Sequence, residues 1–252
     1  MKTMISTIIG LGITFCAGLA TAQDDEIPDV FTYATYFYCD VGNEETADTI
    51  MERNAPLWDK LVDDGAILGW GWMSHHTGGK WRRIRWHQSD SIVGAMEALD
   101  TMGDAVKGKY GEDDSANADF AEACPRHDDY LWQLKNGMSG QGRGKAGFSV
   151  YYKCDIAREE RADEIIEAHA KPILDKMVED GGLTSWGWQS HVIGGGVRRL
   201  QTMTAEDLPT LLTSRTALIE AMYPEDDESG IEFTDICGPH VDYIWNLDFE
   251  KP

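Results

Sequence analysis

The stretch GWGWMSHHTGGKWRR, residues Gly69–Arg83, decides the fold because the chain repeats it. The second copy reads SWGWQSHVIGGGVRR, from Ser185 to Arg199, with the same internal spacing. Alternating Trp and Gly, then a Gly-Gly pair and two arginines, is typical of a strand, a tight turn and a returning strand. We therefore predict that the same hairpin occurs twice.

Three further pairs of segments match outside the hairpin, at nearly the same offset. Trp186 lies 116 residues after Trp70, and Cys237 lies 113 residues after Cys124. The matching pairs are YFYCDV with YYKCDI (36–41 and 151–156), APLWDKLVDDG with KPILDKMVEDG (55–65 and 171–181), and CPRHDDYLWQL with CGPHVDYIWNL (124–134 and 237–247). We predict repeat 1 at residues 23–135, a glycine-rich linker at 136–147 and repeat 2 at 148–252.

Each repeat has the pattern of a β-α-β-β-α-β unit. Apolar residues between Glu45 and Asp64 recur at helical spacing, and Gly65 is a stop signal. Pro56 and Pro172 fall inside the first helices, so we expect a kink in each. The hairpin supplies the second and third strands, and the DYLW and DYIW segments the last ones. The second helices are predicted near Asp90–Met102 and Ala205–Met222.

This order resembles the ferredoxin-like unit, and two units in tandem resemble the dimeric α/β-barrel superfamily, in which two such sheets face each other. The resemblance implies an α+β fold: a pseudo-dimeric α/β barrel that closes within one chain. Tandem members include haem proteins similar to chlorite dismutase and the dye-decolourising peroxidases. Single-domain members include cofactor-independent monooxygenases. Because the members differ so widely, the resemblance leaves the function open.

The first 22 residues have the pattern of a secretory signal peptide. Lys2 precedes an apolar run from Met4 to Leu19, and small residues place a cleavage site after Ala22. No later stretch is apolar enough to span a membrane. The net charge of −22 disfavours binding to nucleic acid. We expect a periplasmic or secreted protein without membrane insertion or nucleic-acid partners.

The cysteines support export and fit the implied topology. Cys16 falls within the signal peptide, which leaves an even number in the mature chain, as is typical of disulfides. In a ferredoxin-like sheet the first strand lies beside the fourth. The resemblance therefore implies one disulfide per repeat, Cys39–Cys124 and Cys154–Cys237.

Tryptophans and arginines retained in both repeats are the candidates for ligand binding. Trp70 and Trp72 share one strand face, where core packing and an aromatic wall for a ligand are the alternatives. Arg82 and Arg83 point to opposite faces, and a buried arginine needs helix carboxylates or an anionic ligand group as partner. The predicted ligand-binding set is Trp70, Trp72, Arg83, Trp186, Trp188, Arg199, Tyr36 and Lys153.

Histidines retained in both repeats suggest a metal site. The recurring residues are His75 with His191, and His127 with His240, and the last two are followed by Asp129 and Asp242. If strand four of one repeat pairs with strand two of the other, His191 is predicted to lie beside His127 and Asp129. His75 would then lie beside His240 and Asp242. Two histidines and one carboxylate suit non-haem iron or zinc, while the alternative is a simple Asp–His hydrogen bond.

Three functions remain open at this point. The first is binding of a small aromatic or anionic molecule inside the barrel. The second is an oxygenase, metal-dependent through the His-x-Asp groups or cofactor-free, and the third is a structural or interaction module. Haem is a further cofactor candidate, from the resemblance to tandem haem proteins. The two halves are expected to differ, because repeat 1 has His76, Trp81 and Arg85 where repeat 2 has Val192, Val197 and Gln201.

Overall fold

The computed structural model describes residues 29–140, 142–224 and 228–251. The predicted signal peptide, residues 1–22, lies outside this range. Within the described ranges, no helix combines the length and the apolar character that crossing a membrane requires.

Eight strands form one closed antiparallel barrel, in the order β1-β3-β2-β8-β5-β7-β6-β4. The predicted closure is confirmed, since β4 pairs with β6 and β2 pairs with β8, both antiparallel. Strands β1–β4 form one ferredoxin-like sheet and β5–β8 the other, as expected. The strands are β1 (Phe31–Tyr38), β2 (Gly69–Gly78), β3 (Arg83–Ser89), β4 (Arg126–Ser139), β5 (Ala146–Tyr152), β6 (Ser185–Ile193), β7 (Arg199–Ala205) and β8 (His240–Lys251).

Helices cover the outer face of the barrel. Repeat 1 has α1 (Glu44–Asp63), α2 (Ile92–Tyr110) and α3 (Ala116–Ala123). Repeat 2 has α4 (Glu159–Ile165), α5 (Lys171–Glu179), α6 (Leu208–Met222) and α7 (Ser229–Cys237). A π-helical turn at Ile166–Ala170 joins α4 to α5, so that these two together correspond to α1.

The two matching prolines are accommodated differently. The first helix remains α-helical through Pro56. In repeat 2 the π-helical turn ends two residues before Pro172. Proline has no N–H to donate to the carbonyl four residues earlier. A wider turn before Pro172 absorbs that loss by changing the hydrogen-bond register.

One short helix and one long strand depart from what the sequence indicates. The acidic composition of residues 112–119 is typical of a loop, yet α3 begins within this stretch at Ala116. Ala116 and Ala123 are buried with α1 and Cys124 in one core cluster, so tertiary packing decides this segment. Strand β4 continues to Ser139 and β5 begins at Ala146, which makes the connection shorter than the predicted linker at 136–147.

Both predicted disulfides are present, Cys39–Cys124 and Cys154–Cys237. Cys39 directly follows β1 and Cys154 lies just beyond β5, so the two bonds lie at the same end of the barrel. Each ties the first strand of its repeat to the short helix that precedes the last strand. We call this the disulfide end.

Removing one disulfide is expected to destabilise the barrel strongly. The bonded cysteines are separated by 85 and 83 residues, and closing loops of that length is worth roughly 4–5 kcal/mol by chain entropy. We expect C39A/C124A and C154A/C237A each to lower the free energy of unfolding in urea by about that amount. A loss from either pair too small to measure would contradict this account.

His87 is buried between β3 and α2. Its side chain is 1% exposed. Nε2 donates to the Ala95 carbonyl at 2.7 Å, and the ring stacks on Tyr33 at 5.4 Å between centroids. Burial lowers the pKa of His87 to about 4. The folded protein therefore holds this imidazole neutral.

Because of His87, we expect the folded protein to become less stable as the pH falls from about 6.5 to about 4. Below pH ~6.5 the unfolded chain protonates this histidine, while the folded chain does so only near pH 4. The unfolded state then binds more protons, so the free energy of unfolding decreases by about 3 kcal/mol between these values. In His87→Gln this contribution disappears. Urea unfolding of both proteins at several pH values should show a shallower slope for the variant, and equal slopes would refute the assignment.

Candidate functional site

The barrel interior is unusually aromatic. Alternate residues of each strand face inward. The interior cluster contains Tyr36, Trp81, Trp86, Tyr130, Trp132, Tyr151, Tyr243 and Trp245. These large rings fill one part of the interior and leave another part open.

The disulfide end is filled around Trp81. The Trp81 ring lies 4.3 Å from Tyr36 and 5.0 Å from Tyr151, which are equivalent residues of the two repeats. It also contacts Tyr130 at 6.3 Å and Tyr243 at 5.3 Å, a second equivalent pair. Its Nε1 donates to Asp128 at 2.9 Å. This packing closes the barrel to ligands at the disulfide end.

A cavity of about 560 Å³ lies toward the opposite end. Its wall includes residues where β1 and β6 begin, such as Thr32 and Ser185, and where β3 and β4 end, such as Gln88 and Ser139. The apolar wall is formed by Tyr36, Ile84, Trp86, Trp132, Tyr151 and Leu200. The polar wall includes Gln189, Thr202, Ser149 and Arg143.

One difference between the repeats explains the position of the cavity. In repeat 1, Trp86 lies opposite Gly71, and a Cβ on Gly71 would come within 2.5 Å of the Trp86 ring. In repeat 2 the same positions hold Thr202 and Gly187. The smaller threonine leaves above Gly187 the space that an indole occupies above Gly71. The cavity therefore extends into the repeat 2 half.

Two buried residues of the cavity wall each have a polar atom without a hydrogen-bond partner among the described residues. Gln189 is 8% exposed and leaves Oε1 unpaired, and Trp86 is 4% exposed and leaves Nε1 unpaired. Neighbouring Tyr36 is satisfied differently, because its hydroxyl accepts from Trp132 Nε1 at 3.1 Å. Gln189 and Trp86 thus offer the cavity one acceptor and one donor within a mainly aromatic wall.

Two tyrosines that face the cavity remain protonated at neutral pH. Burial raises the pKa of Tyr36 and raises that of Tyr151 well above its ordinary value. Neither phenol can act as a base there.

No family model matches the sequence, and no curated protein matches it. Solved structures match most of the chain. A proposed monooxygenase from Lactobacillus acidophilus NCFM has a TM-score of 0.58 at 10% identity, over 89% of this chain and 96% of that one. A proposed monooxygenase from Fusobacterium nucleatum has a TM-score of 0.56 at 8% identity, over 90% and 95%. A mutant chlorite dismutase from Candidatus Nitrospira defluvii has a TM-score of 0.54 at 9% identity, over 87% and 91%.

These neighbours are dimeric α/β-barrel proteins. The chain has the dimeric α/β-barrel fold. The predicted fold class is therefore confirmed, with both halves of the barrel in one chain. Identities this low show the fold alone.

The dimeric α/β barrel places the retained tryptophans on its outer face, beneath the first helices. Trp70 Nε1 donates to Asp59 at 2.9 Å, and Trp72 Nε1 donates to Asp48 at 2.8 Å. Both aspartates belong to α1. Repeat 2 has the same bonds, from Trp186 to Asp175 at 2.8 Å and from Trp188 to Asp163 at 2.7 Å.

The retained arginines bind carboxylates of the same helices. Arg83 donates to both oxygens of Asp48, at 2.7 and 2.6 Å. Arg82 donates to Glu44 at 2.5 Å and to Nδ1 of His75 at 2.8 Å. We call this set, with Trp72, the Asp48 network. The equivalent Asp163 network contains Asp163, Trp188, Arg199, Glu159, Arg198 and His191.

The helix-carboxylate interpretation of the arginines is therefore confirmed, and the alternative that one arginine per repeat faces the cavity is wrong. Arg83 and Arg199 point away from the cavity, as do Trp70, Trp72 and Trp188, because their strand positions face the helices. Trp186 borders the cavity and Tyr36 lines it. Lys153 is exposed beyond the end of β5. The predicted aromatic wall exists but consists mainly of other residues.

The predicted metal arrangement is also wrong. His191 lies opposite Trp132 and His75 opposite Trp245, so neither histidine reaches the His-x-Asp pair of the other repeat. The pairing of β4 with β6 begins at Leu131, beyond His127. Each histidine instead lies near its own aspartate: His127 Nε2 is 3.2 Å from Asp129, and His240 Nε2 is 3.6 Å from Asp242. Within 29–140, 142–224 and 228–251, no three His, Cys, Asp or Glu residues are grouped to hold a metal ion.

The cavity residues do not fit haem. An axial ligand is usually a histidine or a cysteine. Of the described residues that line the cavity, none is of either type. The two tyrosines of the wall are hydrogen-bonded within the aromatic interior.

Breaking the Asp48 network should cost far more than breaking an exposed ion pair. Arg83 is 5% exposed, and the loss of the Asp48 carboxylate leaves its buried charge only the 3.3 Å contact with Glu44. We expect Asp48→Asn to lower the free energy of unfolding by about 3 kcal/mol, and Asp163→Asn to do the same in repeat 2. The matched control is Asp64→Asn, which removes the carboxylate paired with exposed Lys60 at 2.6 Å. Similar losses from Asp48→Asn and from this control, in urea unfolding, would contradict the assignment.

Proposed function

We propose that the protein binds a small aromatic molecule inside the barrel. The supporting observation is the pair of unpartnered polar atoms, Gln189 Oε1 and Trp86 Nε1, in the wall of the cavity. Buried polar groups are nearly always hydrogen-bonded, and leaving one unpaired costs about 1–3 kcal/mol. A ligand that donates to Gln189 and accepts from Trp86 supplies both partners.

The shape and lining of the cavity favour a molecule of two or three fused rings. A volume of about 560 Å³ falls within the range of small-molecule sites, roughly 300–1,000 Å³. Trp86, Trp132 and Tyr36 offer aromatic faces and edges for stacking. A hydroxyl or carbonyl substituent would meet the two polar atoms.

Binding is favoured over catalysis because none of the described residues that line the cavity is an evident base. Tyr36 and Tyr151 stay protonated at neutral pH. Lys171, at the edge of the cavity, forms an ion pair with Asp175. Neither phenol takes up a proton from a substrate near neutral pH.

Cofactor-free oxygenation is the second candidate. Two solved structures of the same fold are described as proposed monooxygenases. Burial raises the pKa of Glu250, which lies on the inner face of β8 and could supply the missing base. Oxygen consumption with a bound compound would favour this function, and binding without consumption favours the first.

We infer in addition that the protein is exported. The signal pattern ending at Ala22 and the two disulfides support this inference.

A large side chain that fills the cavity should strongly weaken the binding of an aromatic ligand. Thr202→Trp copies onto repeat 2 the Trp–Gly pair that repeat 1 already forms, so the fold is expected to accept it. Calorimetric titration with 2-naphthol should show binding by the wild type and at least ~10-fold weaker binding by the variant. The thermal midpoint should be unchanged or higher, because the added ring packs against the cavity wall.

The matched control is Thr216→Trp, which adds the same side chain at an exposed position of α6. It should bind 2-naphthol like the wild type. Gln189→Leu removes the acceptor without filling the cavity and should weaken binding by roughly 5- to 50-fold. A folded Thr202→Trp protein that binds as tightly as the wild type would exclude the cavity as the binding site.

A further inference from the structure

Two charged residues meet at the mouth of the cavity. Arg143 comes from the connection between β4 and β5, and its guanidinium carbon lies 4.8 Å from the centre of the Trp86 ring. Glu250 lies on β8 opposite Gly71, and therefore on the inner face of the barrel. Arg143 Nε is 3.5 Å from Glu250 Oε2.

This ion pair is poorly formed. Charge-assisted N–H···O bonds are usually about 2.7–2.9 Å long. Arg143 Nε and Glu250 Oε2 are both buried and have no hydrogen-bond partner among the described residues. By contrast, Arg83 and Asp48 on the outer face form a two-point contact at 2.6–2.7 Å. The Arg143–Glu250 pair thus leaves hydrogen-bonding capacity on both side chains unused.

Burial perturbs both groups in the expected directions. It lowers the pKa of Arg143 and raises that of Glu250, although each is opposed by the charge of the other. Taking two charges out of water without good mutual hydrogen bonds is unfavourable. A better partner for Arg143 would therefore be stabilising.

The pair occurs on one side of the barrel mouth. Arg143 lies in the connection between the repeats, which has no counterpart. The position equivalent to Glu250 in repeat 1 is Gly137, since both lie opposite the matching glycines Gly71 and Gly187. Gly137 and Arg143 both line the cavity. A ligand there would meet a glycine on one side of the mouth and a guanidinium on the other.

We propose that Arg143 binds an acidic group of the ligand and that Glu250 is its internal competitor. This rests on the proposed function and specifies its ligand class as an aromatic carboxylate. The planar guanidinium offers two parallel N–H donors, which match the two oxygens of a carboxylate. With the ligand bound, Arg143 exchanges its long contact with Glu250 for a two-point bond. The aromatic ring of the ligand occupies the cavity behind it.

Two ligands that share a ring system but differ in charge test this proposal. At neutral pH, 2-naphthoate carries a carboxylate and 2-naphthol is uncharged. In calorimetric titration, Arg143→Gln should weaken 2-naphthoate binding at least ~10-fold more than it weakens 2-naphthol binding. Glu250→Gln removes the competitor and its repulsion, and should tighten 2-naphthoate binding roughly 3- to 10-fold relative to 2-naphthol binding.

The matched control is Lys145→Gln, which removes an exposed positive charge two residues from Arg143. It should change neither affinity beyond a small effect of net charge. If 2-naphthol and 2-naphthoate both bind and Thr202→Trp abolishes both, but Arg143→Gln and Glu250→Gln leave 2-naphthoate unchanged, the Arg143 proposal fails and the proposed function stands. If the wild type binds neither compound, the proposed function fails and this inference fails with it.

Discussion

The barrel depends on a partly exposed carboxylate that each repeat holds between its sheet and its first helix. Asp48 accepts from an indole and from a buried guanidinium at once, and Asp163 does the same in repeat 2. An arginine in the middle of a sheet is costly without such a partner. The bonds fix the helix in register with the hairpin below it. The repeated sequence GWGW…RR is therefore explained by the same structural contacts in both halves.

Because both repeats retain the same contacts on the outer face of the barrel, the residues of the inner face are free to differ between the repeats. Trp86 fills its half of the barrel, and Thr202 leaves the other half open. The disulfide end is closed by aromatic packing, so the cavity can open only toward the connection between the repeats. That connection brings Arg143 to the mouth. The polar features of the cavity are therefore all asymmetric, although the frame around them is nearly symmetric.

The sequence predicted the frame better than the site. Internal repetition revealed the duplicated unit, and the resemblance of two such units to the dimeric α/β-barrel superfamily implied both disulfides and the closure of the barrel. The comparison of the repeats also drew attention to retained residues such as Trp72 and Arg83, which proved to be structural. The residues that form the cavity differ between the repeats, so a search for residues shared by both repeats does not find them. Comparing unequal pairs, such as Trp86 with Thr202 or Glu250 with Gly137, would have pointed to the cavity.

The metal prediction failed because the strand register between the repeats differs from the one it assumed. Strand pairing between repeats was predicted correctly, but its start was not, because the length of β4 is not evident from the sequence. A strand that runs to Ser139 shifts His191 to Trp132 and away from His127. The sequence also did not predict the burial of α3, because the two small residues that pack against α1 lie in an acidic segment.

Trp81 shows what joining two repeats in one chain makes available. Its ring touches both members of two equivalent tyrosine pairs, so it lies close to the axis that relates the repeats. Two identical subunits would have to bring two such indoles to the same axial point, where they would collide. A single chain needs only one indole at this point, and Val197 occupies the matching position of repeat 2. Covalent fusion thereby allows a barrel of this kind to seal one end with one large residue and keep the other end for a ligand.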